Sequence, residues 1–281
     1  MGEKPAFKDL FSSAAASYSQ YRPGYPPEVF AYLASLCPER ARAWDCGCGS
    51  GQASLGLAEH FDEVAATDPS AKQIAKATPH PKVVYSVGAA EASGLPAGTV
   101  DLIAAAQAAH WFAFDAFYAE VRRVAKPGAV IALISYHRMR IGPEIDRVCE
   151  RFHRQTLAPY WPPERAHVDA NYETIPFPFA EIAAPPFALR AIWPLVADQA
   201  LRCSCHVRTL CRLEEDAMPG VSLRCAAIHH AVGRCRQQSG VDPLIALEEE
   251  LRPLWGDPAA AREISWPINM RVAPVFGATG R

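Results

Sequence analysis

The residues best placed to do chemistry are gathered in Asp45-Cys46-Gly47-Cys48-Gly49-Ser50-Gly51-Gln52. Glycines at alternate positions let the backbone turn tightly and let a ligand lie against the main chain. The spacing is G-x-G-x-G. Where a dinucleotide loop of the G-x-G-x-x-G type has its third glycine, this chain has Gln52. Asp45 stands directly before the loop. A carboxylate there repels a pyrophosphate and attracts an ammonium or a sulfonium, so charge complementarity favours a cationic amino-acid ligand over NAD.

A second acid follows at the expected distance. Thr67-Asp68-Pro69-Ser70 ends the next apolar run, about 20 residues beyond the loop, where an acid hydrogen-bonds ribose hydroxyls. Read alone, Asp68 is equally a helix cap or a surface acid. Gly88-Ala89-Ala90-Glu91 then leaves room for a flat base at a strand end, although such a stretch also serves as a plain turn. His110 and Trp111 follow the fourth apolar run. Imidazole titrates near neutrality, so His110 is the candidate base if an acceptor must lose a proton. Trp111 can shield a cation or pack an acceptor. The plainer role for both is structural packing.

These groups need elements to hold them, and the text alternates accordingly. Short apolar strands are expected at 43–45, 64–68, 83–87, 100–106 and 129–136, separated by helices at 51–60, 70–77 and 114–124. This rhythm predicts an α/β, doubly wound, mostly parallel sheet of Rossmann-like type. Pro26-Pro27 opens an earlier helix, and Ser12 to Gln20 reads as another. Further on, helices are expected over 142–157, 198–238 (interrupted at Met218-Pro219-Gly220) and from Asp242-Pro243. Residues 158–188 read as ordered loop, and strands are expected at 189–196 and 263–272. The organisation expected is an N-terminal helical lid (1–40), a ligand-binding core (41–140), and a cap or substrate region with the final strands (141–281).

Taken in order, these features resemble the class I S-adenosylmethionine-dependent methyltransferases. Phe11-Ser12 through Tyr18, Tyr21-Arg22-Pro23, Gln107-Ala108-Ala109-His110-Trp111-Phe112 and Tyr160-Trp161-Pro162-Pro163 are similar to the small-molecule subgroup that includes trans-aconitate methyltransferase. The resemblance implies a seven-stranded sheet whose last strand is antiparallel, with an inserted, mainly helical cap. It implies S-adenosylmethionine as cofactor. Asp45, Gly47, Gly49, Gly51 and Gln52 would hold its methionine part and Asp68 its ribose, with Pro69, Ser70, Ala90 and Glu91 about the adenine. Gln107 would approach the methionine end, and Tyr18 and Arg22 would belong to the lid. His110, Trp111, Tyr160 and Trp161 would line the acceptor pocket. The chain departs from the subgroup over about 197–236, where the acceptor is chosen.

Composition narrows the partners. The chain has 281 residues, a formal net charge of −2 and no long basic run, which disfavours nucleic acid as a partner. No Asn/Asp-Pro-Pro-Tyr element follows the fourth strand. No apolar run approaches the roughly 20 residues of a membrane span. The N-terminal segment lacks an apolar leader core, and nine cysteines, an odd number, read as reduced thiols in a cytoplasm. A zinc site among Cys203, Cys205, His206, Cys211, Cys225, His229, His230 and Cys235 lacks paired Cys-x2-Cys knuckles, so no metal is expected. The expectation is a small-molecule methyltransferase, monomer or homodimer. Two alternatives remain: a cyclase or lyase that consumes the cofactor and releases methylthioadenosine, and a non-catalytic binding protein.

Overall fold

A computed structural model describes residues 24–136, 138–194 and 223–277. Seven strands form one sheet: β1 (Arg42–Cys46), β2 (Glu63–Asp68), β3 (Val83–Val87), β4 (Val100–Ala106), β5 (Ala125–Tyr136), β6 (Phe187–Pro194) and β7 (Ala261–Pro274). Their order is β3-β2-β1-β4-β5-β7-β6. The first five pair in parallel, while β7 runs antiparallel to both β5 and β6. The architecture is the Rossmann-like sheet expected from the βα rhythm, with its last strand reversed.

Central parallel strands are covered on both faces, which is why they read as unbroken apolar runs. Along β4 every residue but the last is buried. One core lies under α1 (Pro27–Ser35), α2 (Gln52–Ala58) and the later helices α5 (Pro143–Arg151), α7 (Leu223–Ser239) and α8 (Pro243–Trp255). The other lies under α4 (Phe114–Val124) and around Val168 and Tyr172. Helix α1 opens on a proline at its first position and buries Val29, Phe30, Leu33 and Ala34. Helix α3 (Ala71–Ile74) is capped by Ser70, whose side chain accepts from the Gln73 N–H. Helix α8 is capped in the same way by Asp242.

Local departures from expectation have identifiable causes. Strand β5 begins at Ala125 rather than 129, because Val100 pairs Ala125 and Leu102 pairs Val130. The extra residues, Lys126-Pro127-Gly128, bulge out, with Gly128 at φ 83°, where proline lacks a ladder donor. The helix expected over 142–157 is α-helical only to Arg151 and continues as a widened π turn, Phe152–Thr156. The stretch 158–188 contains a 3-10 turn at Ala158–Tyr160 and the short helix α6 (Arg165–Asp169). Tyr18, Arg22, the helix expected at Ser12 to Gln20, Met218-Pro219-Gly220, Cys203, Cys205, His206 and Cys211 lie outside the described residues.

Candidate active site

The chain leaves β1 toward β2 and β3 on one side and returns through β4 to β5 on the other. This makes the β1–β4 boundary a topological switch point, and ligands of such sheets bind outside the carboxyl ends of the strands there. The glycine loop leaves β1 at that boundary and Gln107 leaves β4.

The loop is fastened from below. Gly47 N–H and Cys48 N–H both donate to the Thr67 carbonyl, at 2.8 and 3.0 Å. Gly47, Gly49 and Gly51 have φ of 72°, 56° and 88°, a region that L side chains enter at a cost. A Cβ on Gly47 would lie 2.5 Å from Ala108 Cβ, whereas one on Gly49 would meet only open space. Gly47 therefore serves the packing of the loop on the β4 exit, and Gly49 faces the cradle. Gly51 is covered by the ring of Tyr85 and starts α2, which Gln52 continues.

Asp45 is wholly buried. Ser54 Oγ donates to one carboxylate oxygen at 2.5 Å, and the other oxygen, Oδ1, has no partner among the described residues. Burial pushes its pKa up to about 7, with the Ser54 hydrogen bond pulling down and the Asp68 charge pushing up. Asp68 accepts from Gly49 N–H at 2.9 Å and from Ser70 N–H at 2.8 Å, one bond to each oxygen. The loop thiols are apolar fillers: Cys46 and Cys48 are buried, and burial raises both pKa values far above the ordinary thiol range.

Gln107 adopts φ 58°, unusual for a residue with a side chain. Its Nε2 donates to the Tyr136 carbonyl at 2.7 Å, while Oε1 is buried without a partner among the described residues. Ala90 is buried beside the core, Pro69 is exposed, and the Glu91 carboxylate accepts from Ala113 N–H at 2.8 Å, ahead of α4. Glu91 is thus engaged in holding the start of α4.

His110 sits in a 3-10 turn, Ala109–Trp111, directly beyond β4. It is buried, its Nδ1 lies 2.8 Å from the Tyr172 hydroxyl, and its ring packs against Trp111 and Tyr172 at 5.0 and 5.8 Å. Tyr172 belongs to an aromatic set, Tyr160, Trp161, Tyr172, Phe177 and Phe179, whose sequence suggests an enclosed apolar pocket and more plainly simple core. Tyr172 and Asn171 both have positive φ, 67° and 53°. Two β7 side chains tie this strained turn down. Asn269 donates to the Asn171 side chain at 3.0 Å, and Arg271 Nη1 donates to the Tyr172 and Ile175 carbonyls at 3.2 and 2.6 Å. A one-letter text carries no trace of that long-range fastening.

The structure therefore gathers Asp45, Gly47, Gly49, Gly51, Gln52, Asp68, Ser70 and Gln107 about one cradle, with His110 and Trp111 at its β4 side. Tyr160 and Trp161 are held elsewhere: Tyr160 lies against Cys235 of α7, and Trp161 stacks on His153. Among the described residues no His/Cys/Asp/Glu group could hold a metal ion, and no helix is long and apolar enough to cross a membrane.

Comparison with known proteins bears on the family of the chain. A family model described as a methyltransferase domain matches residues 44–133. A Dictyostelium discoideum protein provisionally named a methyltransferase is 40% identical over 173 residues, spanning 60% of this chain and 66% of that protein. An uncharacterised methyltransferase of Mycobacterium tuberculosis is 34% identical over 125 residues, spanning 44% of this chain and 51% of that one. The matches thus cover about half to two thirds of these relatives' lengths. A solved structure from Anaeromyxobacter dehalogenans, described provisionally as a type II methyltransferase, is 42% identical with a TM-score of 0.75, covering 91% of this chain and 99% of that one.

The fold and site define a Rossmann-like methyltransferase. More narrowly, the chain belongs to the class I S-adenosylmethionine-dependent methyltransferases. The residues present fit that cofactor. Among the described residues a buried carboxylate oxygen and a buried amide oxygen lack donors, and no described atom fills the Gly49 cradle. An ammonium group would supply the donors these two oxygens lack.

Proposed function

We propose that this protein transfers a methyl group from S-adenosylmethionine to a small molecule bound between the β4 exit and the cap. The observation that carries the reading is Asp45 Oδ1, a wholly buried anion-forming oxygen without a donor among the described residues, beside the Gly49 cradle. When bound, the cofactor supplies a methyl group on a sulfonium, which needs no further activation.

The chain's own task is then to position. Asp45 and Gln107 orient the amino-acid end, Asp68 the ribose, and Ala90 leaves space for the base. Holding donor and acceptor in line is worth about 7–11 kcal/mol of the barrier. His110, held through Nδ1 by Tyr172, lines the acceptor side and takes a proton where the acceptor carries one. The absence of an Asn/Asp-Pro-Pro-Tyr element, the formal charge of −2 and the resemblance of residues 107–112 to the trans-aconitate subgroup support a small acceptor.

The test is product analysis. The purified chain is incubated with S-adenosylmethionine and a panel of small carboxylates, phenols, amines and thiols, and nucleoside products are separated by mass. S-adenosylhomocysteine formed only with an acceptor supports the proposal. Methylthioadenosine formed without one would sink it.

A further inference from the structure

The cap carries a second concave surface, of about 570 Å³, walled by Arg138, His153, Arg154, Trp161, Arg165 and Asp169. Arg165 is fixed in place. Its guanidinium lies 4.3 Å over the Trp161 ring, its Nε donates to Asp169 at 3.0 Å, and its side chain is only 7% exposed. Trp161 in turn stacks on His153 at 5.6 Å with an interplanar angle of 10°, and its indole N–H donates to the His153 carbonyl at 2.9 Å. Ring, indole and guanidinium form a rigid stack with a cation at its end, an arrangement suited to planar oxyanions.

Two further guanidiniums converge on it. Arg138 and Arg154 share the carboxylate of Glu150. Arg138, Arg154 and Arg165 thus bring three guanidiniums to the walls of the groove. Burial and the Arg154 charge lower the Arg138 pKa, with Asp169 opposing and Arg140 and Arg165 adding to the effect. Crowding cations costs free energy that a bound anion offsets.

The groove also adjoins the reaction site. Arg138 follows β5 by two residues, and the last residue of β5, Tyr136, accepts the Gln107 amide through its carbonyl. Helix α6, which carries Arg165 and Asp169, packs against the 3-10 turn that carries His110.

We propose that this groove binds an oxyanion of the acceptor, a carboxylate or phosphate, as a handle and not as the atom that is methylated. An oxygen accepting from guanidinium N–H groups has its lone pairs engaged and is a poor nucleophile. A group held here leaves the rest of the molecule to reach the His110 side. The handle role rests on the methyl-transfer reading above. The anion site stands on the groove's own geometry.

The test uses the full chain and two probes, inorganic phosphate and malonate, titrated calorimetrically at constant ionic strength. Saturable one-to-one binding of at least one probe is expected, and which one binds names the class. Arg154→Gln and Arg165→Lys should each weaken it about tenfold or more, the scale of a charge-assisted hydrogen bond. Should Arg165→Lys fail to fold, Arg154→Gln, at an exposed position, carries the comparison. Failure of both probes to saturate overturns the proposal, as does unchanged affinity in folded variants. Loss of methyl transfer on every acceptor with probe binding intact would instead sink the methyl-transfer reading and leave the anion site standing.

Discussion

Asp45 offers the sharpest perturbation, because its cost and its use have opposite signs. Its folded pKa of about 7 lies above the ordinary 3.8. The folded chain therefore binds more protons than the unfolded chain between those values, and stability falls as pH rises through that window. About three pKa units correspond to roughly 4 kcal/mol of destabilisation, fully present above pH 7. Asp45→Asn removes the charge and keeps an acceptor for Ser54. It leaves a buried amide N–H₂ where Oδ1 now lacks a partner, at a cost of about 1–3 kcal/mol. The net expectation at pH 8 is a gain of about 1–3 kcal/mol, or roughly 2–4 °C in melting temperature per kcal/mol. At pH 5 the charge penalty falls to roughly 1.6 kcal/mol, which the cost of the buried amide offsets, so the difference should shrink toward zero. Affinity for S-adenosylhomocysteine, which retains the ammonium, should meanwhile drop about 10- to 100-fold, the value of one charge-assisted hydrogen bond. Differential scanning calorimetry at the two pH values and a binding titration read both effects. A variant that melts below the parent at both pH values, or binds the ligand as tightly, would refute the assignment of Asp45 as a strained, ligand-directed carboxylate.

Gly47→Ala should destabilise the apo protein by about 1–3 kcal/mol, because it adds left-handed strain to contact with Ala108, and its melting temperature reports this. Gly49→Ala meets no neighbour, so it should cost only the backbone term while blocking cofactor titration; equal damage from both would contradict the division of labour. Tyr172→Phe keeps the ring and removes the hydroxyl 2.8 Å from His110 Nδ1. It should displace the imidazole titration seen by NMR and the pH profile of methyl transfer, and an unchanged pair of curves would make Tyr172 mere packing. Glu120 is held down to about pKa 2, chiefly by its hydrogen bond with Arg123, so its stabilisation is present above pH 4.5 and is lost as pH falls toward 2. Glu120→Gln should cost about 1–3 kcal/mol at pH 7 and flatten that acid limb in a melting series.

Much of the cofactor half was legible because its determinants are local. A glycine loop between strand and helix, and acids at two strand ends, are contiguous in the text, and β1 through β4 fall within a residue or two of their expected positions. What escaped depends on distant partners. The left-handed turn at Asn171-Tyr172 is fixed by Asn269 and Arg271, almost a hundred positions away, and nothing in its own residue types announces it. The early start of β5 is likewise set by pairing with Val100, although its proline and glycine read as a helix stop. Tyr160 and Trp161, expected in the pocket by resemblance, are placed by contacts with α7 and His153 that no spacing encodes.

The position of β7 has a bearing on how the chain is made. Strands β1 to β5 find all their mutual pairings within residues 42–136, so that half of the sheet can assemble while the rest is still being synthesised. Among the described residues strand β6 lies at the edge and bonds in the sheet only to β7, which is translated some seventy residues later. Until then the Asn171-Tyr172 turn also lacks the residues that lock it. A nascent chain can therefore hold a formed glycine cradle before it can present Tyr172 to His110. The contact between Tyr172 and His110 then forms as a late event, after β7 has been translated.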